Sequence, residues 1–148
     1  MDVPRDFSEL LALFNAHRVD YLIVGAHALA FHGAPRYTGD LDIWVRPDVE
    51  NARRILQALD AFGFGSLGLT ADDFTAPDKV IQLGTAPVRV DLVTSITGVS
   101  WEQAMAGQVE GRYGDLDAHY LGKKELIQNK RALGRKKDMA DLEALGEE

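Results

Sequence analysis

The sequence predicts an α/β protein of the α+β kind: a small mixed, largely antiparallel sheet with helices on one face and an active-site groove on the other. Three observations predict it. Asp40–Val45 and Val88–Val93 alternate charged or bulky polar residues with aliphatic ones, the period of a strand whose two faces meet different surroundings. Several other segments place apolar residues at helical spacing. Glycine and proline punctuate these segments without any repeat, low-complexity stretch or linker, so the 148 residues read as one domain, 1–148, with C-terminal helices over 122–148 packed on it.

In order, Phe7, Leu10, Leu11 and Phe14 repeat at i, i+3, i+4, i+7 and form the stripe of a first helix ending near His17. Tyr21–Val24 is a short apolar strand stopped by Gly25, and the alanine-rich run 26–31 favours a helix. Gly33-Ala34-Pro35 ends that helix. In the next strand Leu41, Ile43 and Val45 share one face while Asp40, Asp42 and Trp44 share the other. Asp48 is placed to cap a helix that carries Val49, Ala52, Leu56, Leu59 and Phe62 inward and stops at Gly63.

Residues 63–77 read as loop. Strands over 79–83 and 88–93 follow, joined as a hairpin by Gly84-Thr85-Ala86-Pro87, with Asp91 facing away from Val90 and Leu92. A short helix over 101–106 and weak strands within 109–119 come next. A helix from Lys123 to Leu133 stops at Gly134, and Met139, Leu142 and Leu145 stripe the last one. The expected core includes Leu22, Val24, Leu41, Ile43, Leu56, Val90 and Leu92.

Composition narrows the function classes. A formal net charge of −7 argues against a surface that binds nucleic acid everywhere, although Lys130, Arg131, Arg135, Lys136 and Lys137 crowd one short stretch. With no cysteine, disulfides, thiolate metal sites and thiol nucleophiles are all excluded. The acidic, proline-bearing start does not read as a signal peptide and no run reaches membrane-spanning length, so a cytoplasmic location without membrane association is expected.

Asp40 and Asp42 on one strand face, with Asp91 on another strand, concentrate like charge that repels unless a cation neutralises it. All-oxygen ligands suit Mg²⁺ or Mn²⁺, which are typically shared with substrate phosphates. Taken alone, aspartates two apart more often mark a solvated strand edge. The context adds that Gly25 ends a strand and opens a helix, whose first free N–H groups suit a phosphate.

Together these residues resemble the motif of the polymerase-beta-like nucleotidyltransferases: a hydrophobic residue, glycine, and glycine or serine, followed by aspartate, hydrophobic, acid, hydrophobic. Here it reads Val24-Gly25-Ala26 and then Asp40-Leu41-Asp42-Ile43, and the family's third carboxylate matches Asp91. The tail 126–138 is similar to that of small bacterial members, the minimal or AbiEii-like type. The resemblance implies transfer of a nucleoside monophosphate from a nucleoside triphosphate to a hydroxyl acceptor. In it Asp40, Asp42 and Asp91 hold Mg²⁺ or Mn²⁺ and do the catalysis, with Asp91 completing the metal set or acting as base.

It also implies nucleotide contacts from Gly25, Ala26, Arg36, Thr38 and Lys130. One departure matters: Ala26 lacks the hydroxyl of serine, which removes a side-chain contact to phosphate while leaving the backbone donor. Arg36 and Thr38 also read as an ordinary solvated loop, and Lys130 as a complement to a helix dipole. For Arg135, Lys136 and Lys137 the solvated reading is favoured, for Trp44 packing over base stacking. Asp138 and Asp141 are expected to face solvent or pair with nearby cations, and His27 and His32 are too poorly phased to be metal ligands.

Three functions compete. The first is the transferase, acting on a protein, an RNA end or a small alcohol, as in relatives resembling antibiotic-modifying enzymes or toxin–antitoxin components. The second, favoured by Ala26, is a nucleotide-binding or interaction module without catalysis. The third is a metal-dependent phosphoesterase. So short a chain leaves little room for an acceptor domain, which points to a protein partner or a homodimer.

Overall fold

A computed structural model describes residues 5–35, 40–85 and 88–147. Helix α1 (Arg5–Ala16) buries Phe7, Leu10, Leu11 and Phe14, the predicted stripe. It leads into β1 (Tyr21–Val24), α2 (Gly25–Phe31), β2 (Asp40–Val45) and α3 (Val49–Phe62). Asp48 does cap α3, accepting a hydrogen bond from the Asn51 backbone at 2.7 Å, and Gly63 ends the helix at φ +103°.

The inner face of α3 is rotated from the expected one. Asn51, Ala52, Ile55, Ala58 and Leu59 are buried, Leu56 and Phe62 only pack at its margin, and Val49 is 71% exposed. Val49 sits in the first turn, before the helix reaches its packing partners. Asn51 takes the inner place because its amide binds the chain itself: Oδ1 accepts from Asp20 N–H at 2.7 Å and Nδ2 donates to the carbonyls of Asp20 and Arg46, both at 3.0 Å. The segment expected to be loop contains two short 3₁₀ turns, Gly65–Leu67 and Ala71–Phe74, the second pinning a fully buried Phe74.

Next come β3 (Val80–Thr85), β4 (Val88–Val93), α4 (Trp101–Gly107), β5 (Val109–Tyr113), β6 (Leu116–Tyr120), α5 (Lys123–Leu133) and α6 (Lys136–Ala144). The expected hairpin forms, with β3 running on to Thr85 so that Gly84 and Thr85 pair with Arg89 and Val88. The six strands make one mixed sheet in the order β3-β4-β2-β1-β6-β5. Three neighbouring pairs are antiparallel, while β2 with β4 and β1 with β6 are parallel. The mixed α/β architecture is the one the sequence predicts.

Leu22, Ile23, Leu41, Ile43 and Leu92 are fully buried in the centre of the core. Helices are not confined to one side, however. Trp44 lies on the Asp40/Asp42 face, is only 2% exposed and meets Trp101 of α4 edge-on at 5.1 Å. Stacking of a base on Trp44 is thereby excluded; packing is its role. In α6 the inner residues are Asp138, Asp141 and Leu142, and Met139 of the expected stripe is exposed. Among the described residues no helix is long and apolar enough to cross a membrane.

Candidate functional site

Register brings the carboxylates together. On β2, the strand between β1 and β4, Asp42 pairs with Val24 on the antiparallel side and with Asp91 on the parallel side. One row across three strands therefore contains the end of β1, Asp42 and Asp91. One step along, Asp40 pairs with Arg89. Because side chains alternate, Asp40, Asp42, Arg89 and Asp91 all project from the same face.

Gly25 follows Val24 at φ +66°, a conformation that side chains rarely adopt, and a Cβ there would collide with Asp42 Oδ2. The glycine is thus required twice, by the turn from β1 into α2 and by the carboxylate packed against it. Gly25, Ala26, Asp40, Asp42, Asp91 and Lys130 line a common cleft of about 580 Å³. Its opposite wall comes from Asn129 and Lys130 of α5, with Arg135 and Lys137 at the start of α6. Arg36 and Thr38 lie outside the described residues.

The basic wall is divided in two. Lys130 is 5% exposed, and its ammonium is held 3.0 Å from Asp141 and 3.4 Å from Asp138. Arg135 Nε donates to Asp138 Oδ2 at 2.6 Å, and that contact above all holds the Asp138 carboxyl down to about 2. Asp138 and Asp141 therefore do pair with nearby cations and do not face solvent. Lys137, by contrast, is exposed and lines the cleft, so its place is not that of a remote solvated lysine.

On the acidic wall burial raises the Asp42 carboxyl to about 6, helped by the Asp91 and Asp40 charges and opposed by Arg89. Arg89 was not singled out by the sequence reading. Its Nη2 lies 2.9 Å from Asp40 Oδ2 and 3.0 Å from Asp91 Oδ2. The alternation in Val88-Arg89-Val90-Asp91 was the available signal, since it puts Arg89 on the face of Asp91. Neither histidine lines the cleft, although His27 reaches the Asp40 backbone. His27 packs between Phe7 and Tyr113, and His32 Nε2 sits 2.7 Å from the Leu121 carbonyl.

Among the described residues no group of three or more His, Asp or Glu side chains is arranged to hold a metal ion. Asp40 and Asp91 both contact Arg89. The donor chemistry itself fits a hard divalent cation, with three carboxylates on adjacent strands and mutual repulsion still uncompensated at Asp42. A larger hollow of about 720 Å³, bordered by Asn15, Arg18, Glu110 and His119, lies at the other end of β1 and has none of this row.

No protein-family model matches the chain, and no curated protein matches it in sequence. Among the solved structures that resemble it in fold are two described as nucleotidyltransferase or adenylyltransferase. One is a nucleotidyltransferase candidate, TM1012 from Thermotoga maritima, at a TM-score of 0.64 and 14% identity over 94% of this chain and 89% of that one. The other is the lincosamide antibiotic adenylyltransferase LnuA with lincomycin bound, at 0.59 and 14% over 97% and 96%. The fold is nucleotidyltransferase-like.

Proposed function

We propose that the protein is a nucleotidyltransferase that moves a nucleoside monophosphate from a nucleoside triphosphate to a hydroxyl acceptor. The observation that carries this reading is the in-register row of Gly25, Asp42 and Asp91, with Asp40 beside it, facing cationic side chains across one cleft. The nucleotidyltransferase-like fold supports it. The acceptor oxygen attacks the α-phosphorus, the bond from that phosphorus to the bridging oxygen breaks, and pyrophosphate leaves.

Asp40, Asp42 and Asp91 would hold Mg²⁺ or Mn²⁺. Such an ion supplies charge neutralisation at the phosphates and lowers the pKa of a bound hydroxyl. Asp91, 8% exposed, completes that carboxylate set or takes the acceptor proton. Gly25 lets the triphosphate approach the start of α2. Lys137 and Arg135 supply positive charge on the opposite wall, and Lys130 reaches phosphate only through release from Asp141. The acceptor is a protein, an RNA end or a small alcohol. A partner or second copy completes the acceptor side.

A second reading, a nucleotide-binding or toxin–antitoxin-type interaction module without catalysis, is favoured by Ala26, which lines the cleft without a hydroxyl. Calorimetric titration of the four nucleoside triphosphates with and without Mg²⁺ tests the shared premise. Binding that needs Mg²⁺ and is lost in an Asp40→Ala, Asp42→Ala double variant is expected. Absence of binding under all conditions removes the transferase and any nucleotide-binding module, and leaves an interaction module that acts without nucleotide. Labelled triphosphate then separates them: pyrophosphate release with labelling of an acceptor supports the transferase, while binding without turnover supports the module.

A further inference from the structure

We propose that Arg89 is the resident counter-ion of the acidic site, occupying the place between Asp40 and Asp91 that a divalent cation would take, so that metal loads only as the guanidinium moves off. The inference rests on the reading of Asp40, Asp42 and Asp91 as cation ligands.

The geometry is that of a bridging cation. One nitrogen, Nη2, contacts carboxylates on two different strands at 2.9 and 3.0 Å. Both contacts use the same nitrogen, so the guanidinium does not grip either carboxylate with the parallel two-bond fork that makes arginine–carboxylate pairs strong. Its Nε is buried with no hydrogen-bond partner among the described residues. Arg89 and Asp40 side chains are each 34% exposed, so water reaches and screens the bridge, whose carboxylates Asp40 and Asp91 line the cleft.

Arg89 is thus held by charge more than by shape, and a compact divalent ion competes for the same oxygens. The sheet gives the arrangement its permanence: Arg89 is the register partner of Asp40 and stands two residues before Asp91 on one strand face. It also accounts for carboxylates that share a face and yet present no ready metal cage.

Removing the arginine therefore strengthens metal binding, the opposite of what removing a ligand or a structural support does. The test is Mn²⁺ alone, titrated at neutral pH and followed by the paramagnetic resonance signal of the free ion. The proteins are wild type, Arg89→Ala, Arg89→Lys and Arg89→Ala combined with Asp40→Ala. Thermal unfolding checks each fold, and Arg89→Gln replaces the alanine variant if that one does not fold.

The proposal expects R89A to bind Mn²⁺ about tenfold more tightly or better, since one positive charge has left the ligand oxygens. R89K should stay near wild type, and the gain should vanish when Asp40 is also removed. Wild type binding Mn²⁺ with R89A equal or weaker overturns the proposal and leaves the metal-site reading intact. Mn²⁺ binding by neither protein overturns both. A gain that survives the loss of Asp40 arises elsewhere and also overturns the proposal.

Discussion

At the scale of single residues the site is built from conflicts that its neighbours restrain. Gly25 holds a left-handed turn with Asp42 packed against it, so Gly25→Ala combines backbone strain with displacement of a carboxylate. A loss of about 1–3 kcal/mol in unfolding free energy is expected, together with loss of metal-dependent nucleotide binding. Asp42 carries a pH signature. Its folded-state carboxyl is raised to about 6, so its contribution to stability is complete below pH 4 and is lost as pH rises through 6. Asp42→Asn, measured with a chelator present, should match wild type near pH 3.5. Well above pH 6 it should exceed wild type by about 3 kcal/mol. An unchanged difference across that range would remove the burial and repulsion argument.

Among elements, two polar clamps set the frame. The Asn51 amide ties the start of β1 to the end of β2, and these strands must stay in register for Asp42 to meet both Val24 and Asp91. Asn51→Ala removes three hydrogen bonds and leaves the Asp20 N–H without its partner, while the Asp20 and Arg46 carbonyls keep the N–H groups of Arg46 and Asp48, so a cost of about 1–3 kcal/mol is expected in chemical denaturation. The second clamp joins α5 to α6 through Lys130, Asp138, Asp141 and Arg135. Asp138 is fully buried with its pKa depressed to about 2; its contribution is present above the usual carboxylate range near 4 and disappears as pH falls from there through 2. Asp138→Asn should cost about 2–3 kcal/mol at neutral pH, with the gap to wild type closing toward pH 2.

These clamps are also where the sequence was least legible. Hydrophobic periodicity located α1, and alternation located β2 and β4, because burial repeats with the geometry of the element; α5 was bounded by the glycine that stops it. Periodicity misassigned the inner faces of α3 and α6 because Asn51, Asp138 and Asp141 are polar, and their partners come from other elements. The same limit hid Arg89: its face was readable from period two, whereas its two carboxylate partners required knowing that β4 lies parallel to β2. Asp40 and Asp42 could be paired because their spacing is local, whereas Asp91, on a distant strand, joined them through its strand alternation and the order of the whole motif.

On the scale of the whole molecule, the cleft exists because the β1 end, the acidic strands and the α5–α6 pair converge on one side of the sheet. Its negative wall and positive wall suit a phosphate-bearing ligand bound through a cation better than they suit a bare anion. The most direct test is a crystal structure grown with Mn²⁺ and a non-hydrolysable nucleoside triphosphate analogue, with manganese located by its anomalous signal. Manganese is expected bounded by Asp40, Asp42 and Asp91, with Arg89 moved off their oxygens and the triphosphate between Gly25 and Lys137. A triphosphate seated instead in the hollow beside Arg18 and His119, or manganese absent from the three aspartates, would contradict that arrangement.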